Sequence, residues 1–193
     1  VDEDLIAASK ITYLEGYLWD KPEAKAAFIK AAEIAHNHGR QVALTLSDPF
    51  CVTRHRDSFR ELVAGHIDIL FANEHEVVTL YEVARFDDAL QHVRNDCAVA
   101  ALTRSEKGSV VVAGDEVHVI DAEKVSHVVD TTGAGDLYAS GFLAGIIRGA
   151  DWQTCGRLGG LAAAEVISHF GARPIVPLRD FVRGKLRLPE KVS

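Results

Sequence analysis

Apolar positions along the chain alternate between two periods. Across residues 22–38, Ala26, Ala27, Ile29, Ala32, Ile34 and Ala35 recur at helical spacing with charges between them, the pattern of an amphipathic helix. Pro22 suits its first turn and Gly39 its C-terminal cap. Residues 41–46 then form a short apolar run that stops at Ser47-Asp48-Pro49, as a buried strand does when it enters a loop. The same reading predicts strands over 11–14, 67–72 and 98–103, with helices over 53–64, 74–83 and 87–94. Strand and helix units of this length imply right-handed crossovers and a mostly parallel sheet covered on both faces.

The pattern changes after residue 108. Ser109–Ala113 and Glu116–Ile120 flank Gly114-Asp115, a hairpin signal that predicts an antiparallel edge. Further helices are predicted over 134–148, 152–169 and 178–186. Internal repeats and low-complexity linkers are absent from the sequence.

Composition narrows the function. At 193 residues and 48% hydrophobic, the chain is long enough to bury a substantial core, and a single domain is expected. A formal net charge of −7 argues against a general nucleic-acid binder. Cys51, Cys97 and Cys155 are three in number and widely spaced, which suggests neither a disulfide framework nor a zinc knuckle and points to a reducing cytoplasm. The apolar stretches 137–147 and 158–167 are shorter than the ~20 residues needed to span a bilayer, so no membrane association is expected. The nine histidines show no metal-ligand spacing. The sequence contains no methionine, and the chain is read as a fragment of a longer protein.

The candidate chemistry lies in Val128-Val129-Asp130-Thr131-Thr132-Gly133-Ala134-Gly135-Asp136-Leu137, an apolar strand end, a small-residue turn and a helix start. The glycines allow a sharp turn and close backbone approach to a ligand, and the first free N–H groups of the helix point into the same space. Together with the helix macrodipole they favour an anion, including charge building on a transferring phosphoryl group. Asp136, in the first turn, is placed to accept the proton of an attacking hydroxyl. The plainer reading, in which Asp136 only caps a helix, remains open on glycine spacing alone.

The segment from Asp130 to Gly141, Asp-Thr-Thr-Gly-Ala-Gly-Asp-Leu-Tyr-Ala-Ser-Gly, resembles the C-terminal signature of the ribokinase/PfkB family of sugar and nucleoside kinases. The resemblance implies a ribokinase-like α/β fold, a mostly parallel sheet with helices on both faces and an antiparallel hairpin edge. It also implies that Gly133, Ala134 and Gly135 form the anion hole and that Asp136 is the catalytic base. Asp130 and Thr132 match positions that help bind a monovalent cation, usually potassium, with Gly171 adding a carbonyl.

Three further stretches extend the resemblance. Asn73-Glu74-His75-Glu76 resembles the family's Asn-x-x-Glu motif, which organises hydrated magnesium and the nucleotide phosphates; Asn73 with Glu76 three residues on is equally a capping box. Thr103-Arg104-Ser105-Glu106-Lys107-Gly108 resembles the Thr-x-Gly-x-x-Gly phosphate loop, with Ser105 in place of the middle glycine. The segment 159–174, with Ala163 inside it, resembles the Ala-rich helix and Gly-Ala turn flanking the adenine pocket; close helix packing would ask for the same small residues.

The resemblance therefore implies an ATP-dependent phosphotransferase using ATP and Mg2+, with K+ as an optional third component. It would act on a hydroxyl of a small-molecule sugar or nucleoside; homodimer formation is left open. Residues 1–193 would be the nucleotide-binding and catalytic C-terminal portion of the longer kinase chain, adenosine-kinase-like in some details. In the family the earlier residues grip the acceptor and form a lid, so the fragment alone would be nearly inactive. The alternatives are a non-catalytic nucleotide-binding or regulatory module and a dehydrogenase-like domain; the latter would need a third glycine at an offset missing after Gly133-Ala134-Gly135.

Overall fold

A computed structural model describes residues 1–186. The chain opens with α1 (Glu3–Ala8), β1 (Ile11–Glu15), a 3-10 turn (Gly16–Asp20), α2 (Pro22–Asn37) and β2 (Gln41–Thr45). It continues through α3 (Pro49–Arg54), α4 (Arg56–His66), β3 (Ile69–Asn73), α5 (Glu74–Tyr81), α6 (Phe86–Asp96) and β4 (Val99–Thr103). A 3-10 turn (Ser105–Lys107), β5 (Ser109–Ala113), β6 (Glu116–Ile120), α7 (Ala134–Ile147), α8 (Trp152–Val166) and α9 (Leu178–Arg183) complete it. The strands form one six-stranded sheet in sequential order. β1 and β2 are parallel with Ile11 opposite Gln41, and β2 and β3 are parallel with Ala43 opposite Ile69; β5 and β6 are the antiparallel edge strands.

The chain divides into two compact units, Val1–Leu102 with Val112–Glu116, and Thr103–Val111 with Val117–Ser193. In the first, Val42, Ala43, Leu44, Ile69 and Leu70 are fully buried, as expected of strands covered on both faces. Trp19 packs against Phe28 and Phe59 at ring-centroid distances of 5.5 and 5.7 Å and donates its indole N–H to Ser58 Oγ at 2.9 Å. The wide apolar body is thus buried while its polar edge is satisfied.

Two expectations shift here. The helix expected over 53–64 is two helices that meet at His55, whose φ of −125° is not helical. The first of them begins early because Asp48 accepts from the amides of Phe50 and Cys51, and Pro49 fills the first helical position. α1 was not expected: it buries no residue, and it starts where the Asp2 carboxylate accepts from the amide of Leu5, so no apolar stripe announces it.

The second unit is organised by α7 against α8. Added Cβ atoms at Gly141, Gly145 and Gly159 would collide with Leu158, with Cys155 and with Tyr138, respectively. The small residues on these helices therefore permit close backbone approach, the packing reading offered above for the Ala-rich helix. Phe142 is fully buried between Tyr138 and Trp152, with ring centroids 6.2 and 6.4 Å away. α9 seats Val182 on Leu158 and Leu161.

Candidate functional site

The turn before α7 is set by glycine and by one carboxylate. Gly133 is the N-cap at φ 79°, and a side chain there would meet the Cβ and carbonyl O of Ala172, each at 2.9 Å. A left-handed backbone in that confined space leaves glycine as the residue that fits. Asp130 ties the turn: Oδ1 accepts from Thr132 Oγ1 at 2.6 Å and from the Thr132 amide at 2.9 Å, while Oδ2 accepts from the Gly171 amide at 3.0 Å. The Thr132 hydroxyl, then the Gly171 and Thr132 amides, lower its pKa to about 2. An ionised carboxylate with remaining lone pairs can serve as a ligand for a small cation.

Within the turn, the Ala134 amide donates to the Thr131 carbonyl at 3.1 Å and the Leu137 amide to the Gly133 carbonyl at 2.9 Å. Gly135 and Asp136 occupy the next two first-turn positions, where no intrahelical acceptor exists, and a glycine N-cap offers no side-chain oxygen to replace it. Gly135 and Asp136 are both exposed. These two amides at the positive end of a 14-residue helix fit an anionic group such as phosphate. The Asp136 carboxylate stands beside them without a hydrogen bond or ion pair among the described residues.

The turn is linked to the loop after β4. Tyr138, one turn into α7, donates its hydroxyl to Ser109 Oγ at 2.8 Å, and both residues are buried. Ser109 directly follows Gly108, whose φ of 83° and crowding by the Ile120 carbonyl and the Ala122 amide exclude a side chain. Ser105 stands where the family motif has glycine, and it holds φ 52° in the left-handed region, the conformation that glycine adopts freely. Thr103 is half-buried at the end of β4.

Asp130, Thr132, Gly133, Ala134, Gly135, Asp136 and Gly171 thus form one cluster, with Thr103, Ser105 and Gly108 joined to it through the Tyr138–Ser109 bond. Ala163 is half-buried on α8, and its carbonyl accepts the Ile167 amide that ends the helix. Asn73 and Glu76 belong to the other unit and form a complete capping box: Asn73 Oδ1 accepts from the Glu76 amide and Glu76 Oε2 from the Asn73 amide, both at 2.8 Å. Glu76 is only 5% exposed, and burial raises its pKa. Among the described residues no group of three or more His, Cys, Asp or Glu is placed to hold a metal.

The sequence reading missed Ala172, which limits Gly133, and the pair Glu165 and His169. Glu165 is 3% exposed and accepts from the amides of Ile175 and Val176 at 3.0 and 3.3 Å. A lone glutamate inside the apolar run of α8 was the available signal.

A six-stranded, mostly parallel sheet bearing a glycine turn at a helix N-terminus places the chain among ribokinase-like α/β proteins. It belongs to the pfkB family of carbohydrate kinases, whose sequence pattern matches residues 1–179. It is similar to the crystal structure of adenosine kinase from Sinorhizobium meliloti, at 52% identity and a TM-score of 0.94, over 96% of this chain and 57% of that one. It is also similar to a probable sugar kinase from Rhizobium etli, at 48% identity and a TM-score of 0.93, over 95% of this chain and 56% of that one. A nucleoside kinase from Methanocaldococcus jannaschii is 35% identical over 126 residues, 64% of this chain and 40% of that protein. The chain spans about 40% of that relative's length. Among the described residues no helix is long and apolar enough to cross a membrane.

Proposed function

We propose that this chain is the nucleotide-binding and catalytic portion of an ATP-dependent kinase that transfers a phosphoryl group to a hydroxyl of a small nucleoside or sugar. The observation that carries the reading is the start of α7, where the Gly135 and Asp136 amides and the Asp136 carboxylate adjoin one another without a hydrogen-bond partner among the described residues. The amides hold the phosphoryl oxygens as charge develops, and Asp136 takes the proton of the attacking hydroxyl. Most of the catalysis in such a transfer is positioning and charge balance.

The Ser105 loop and the Gly133 turn supply backbone donors for the nucleotide phosphates; in the other unit, Asn73 and Glu76 are the residues that would hold hydrated magnesium. Bound magnesium would supply charge neutralisation at the phosphates. Asp130, Thr132 and Gly171 fit potassium, and Ala163 lies on the helix assigned to the adenine side. The names of the similar proteins divide between nucleoside and sugar kinases, which supports an acceptor of one of these two classes.

The test is phosphorylation by the full-length protein across a panel of nucleosides and sugars, with ATP, magnesium and potassium. The reading expects one acceptor class to turn over with transfer of the γ-phosphoryl group. ATP binding without transfer to any acceptor would instead favour a nucleotide-binding module without catalysis.

A further inference from the structure

Glu165 is the polar exception on the buried side of α8. Its Oε1 holds the amides of Ile175 and Val176, while Oε2, also buried, has no hydrogen-bond partner among the described residues. One turn further on, His169 brings Nε2 to 3.3 Å from Oε1, close enough to interact but off the line of a good hydrogen bond, and places Nδ1 3.2 Å from the Phe170 carbonyl. A carboxylate with one orphaned oxygen in such surroundings is a poor source of stability, and an apolar side chain of similar volume often serves a core as well or better.

What the carboxylate does achieve is a fixed position for a segment ten residues away. The other end of that segment is held by the candidate site itself, through the Gly171 amide on Asp130 Oδ2 at 3.0 Å and Ala172 against Gly133. Residues 171–176 are thus strung between two carboxylates, Asp130 and Glu165. Slack at the Glu165 end would let Ala172 and Gly171 retreat from the turn that presents the Gly135 and Asp136 amides.

We propose that Glu165 is a positioning residue for the phosphate turn, a clasp that holds residues 171–176 so that they brace Asp130 and Gly133. Its kinetic consequence rests on the kinase reading; its structural consequence does not. The experiment compares the full-length protein with Glu165→Leu, which removes the acceptor, and Glu165→Gln, which keeps a carbonyl oxygen for the two amides. Amide hydrogen exchange, thermal melting, KM for ATP and kcat are measured on all three.

The Leu variant should melt within about 3 °C of wild type, yet exchange faster by about tenfold or more across 171–176. It should raise KM for ATP by roughly tenfold while changing kcat by less than about threefold, and Gln should restore most of both. Unchanged exchange and KM in the Leu variant would overturn the proposal. So would faster exchange spread over α7 and α8 with kcat falling as much as KM rises, since that marks a general structural role. If the wild-type protein phosphorylates no acceptor, the kinase reading fails separately, and exchange confined to 171–176 and reversed by Gln still decides for the clasp, as uniform exchange decides against it.

Discussion

At the residue scale, Glu76 carries two readings that one substitution separates. Its Oε2 accepts from the Asn73 amide in the capping box, yet its burial raises its pKa. A pKa above the unfolded value means that ionisation is penalised in the folded state, so stability present below the unfolded pKa is lost as pH rises through the folded one. Glu76→Gln keeps an acceptor for the Asn73 amide and removes the charge. Its melting temperature should equal or exceed that of wild type, with the advantage growing as pH rises through the carboxylate range. Phosphotransfer should fall by about tenfold or more if the charge orients magnesium; unchanged kinetics would reduce Glu76 to a helix cap.

Gly133 makes the complementary case. A side chain there costs about 1–2 kcal/mol for the left-handed backbone, and it must also displace Ala172. Gly133→Ala should therefore lower the unfolding free energy in urea by more than 1 kcal/mol and depress activity. Adding Ala172→Gly should recover only the share of the clash made by the Ala172 Cβ, because the Ala172 carbonyl O, also at 2.9 Å, remains. Full recovery in the double variant would mean that the φ of 79° is not a constraint. The sequence exposed Gly133 because the whole heptapeptide is distinctive. It concealed Ala172 and Glu165 because their importance depends on contacts that span 10 to 41 residues, such as Ile175 on Glu165 and Gly171 on Asp130.

At the scale of elements, caps decide where helices begin. Asp151 accepts from the Thr154 amide at 2.7 Å, and this bond is the first cause that lowers its pKa. A lowered pKa gives stability present above the unfolded value and lost as pH falls through the folded one. Asp151→Ala should cost about 1 kcal/mol in denaturant unfolding near neutrality, and the difference from wild type should shrink below about pH 4. A difference that persists undiminished at low pH would assign the effect to packing of α8 instead.

The elements most legible in the sequence were those with a strong apolar period. The hairpin strands Ser109–Ala113 and Glu116–Ile120 stand as read, and α2, α5 and α7 differ from the reading only at their ends. What stayed hidden was set by polar chemistry: α1 by the Asp2 cap and α3 by Asp48 with Pro49. Asp48-Pro49 could have been read as a helix start, but following an apolar strand it looked like a loop.

At the scale of the whole molecule, the parallel order of the sheet followed from alternating strand and helix runs, because strands buried on both faces need crossover helices to cover them. The candidate site follows the same logic, since the glycine turn at Gly133 leads into a helix whose first-turn amides have no intrahelical acceptor. Acceptor identity was less legible because this chain covers only 57% of the adenosine kinase structure and 56% of the sugar kinase structure it resembles.

The central claim is that Asp136 removes the acceptor's proton while the amides beside it hold phosphate. Its most direct test is the Asp136→Asn variant of the full-length protein, measured for kcat/KM with its best acceptor and for ATP affinity. The account predicts a loss of roughly 100- to 10,000-fold in kcat/KM with ATP affinity within about threefold of wild type, because the backbone donors remain. Retention of wild-type turnover by Asp136→Asn would contradict it.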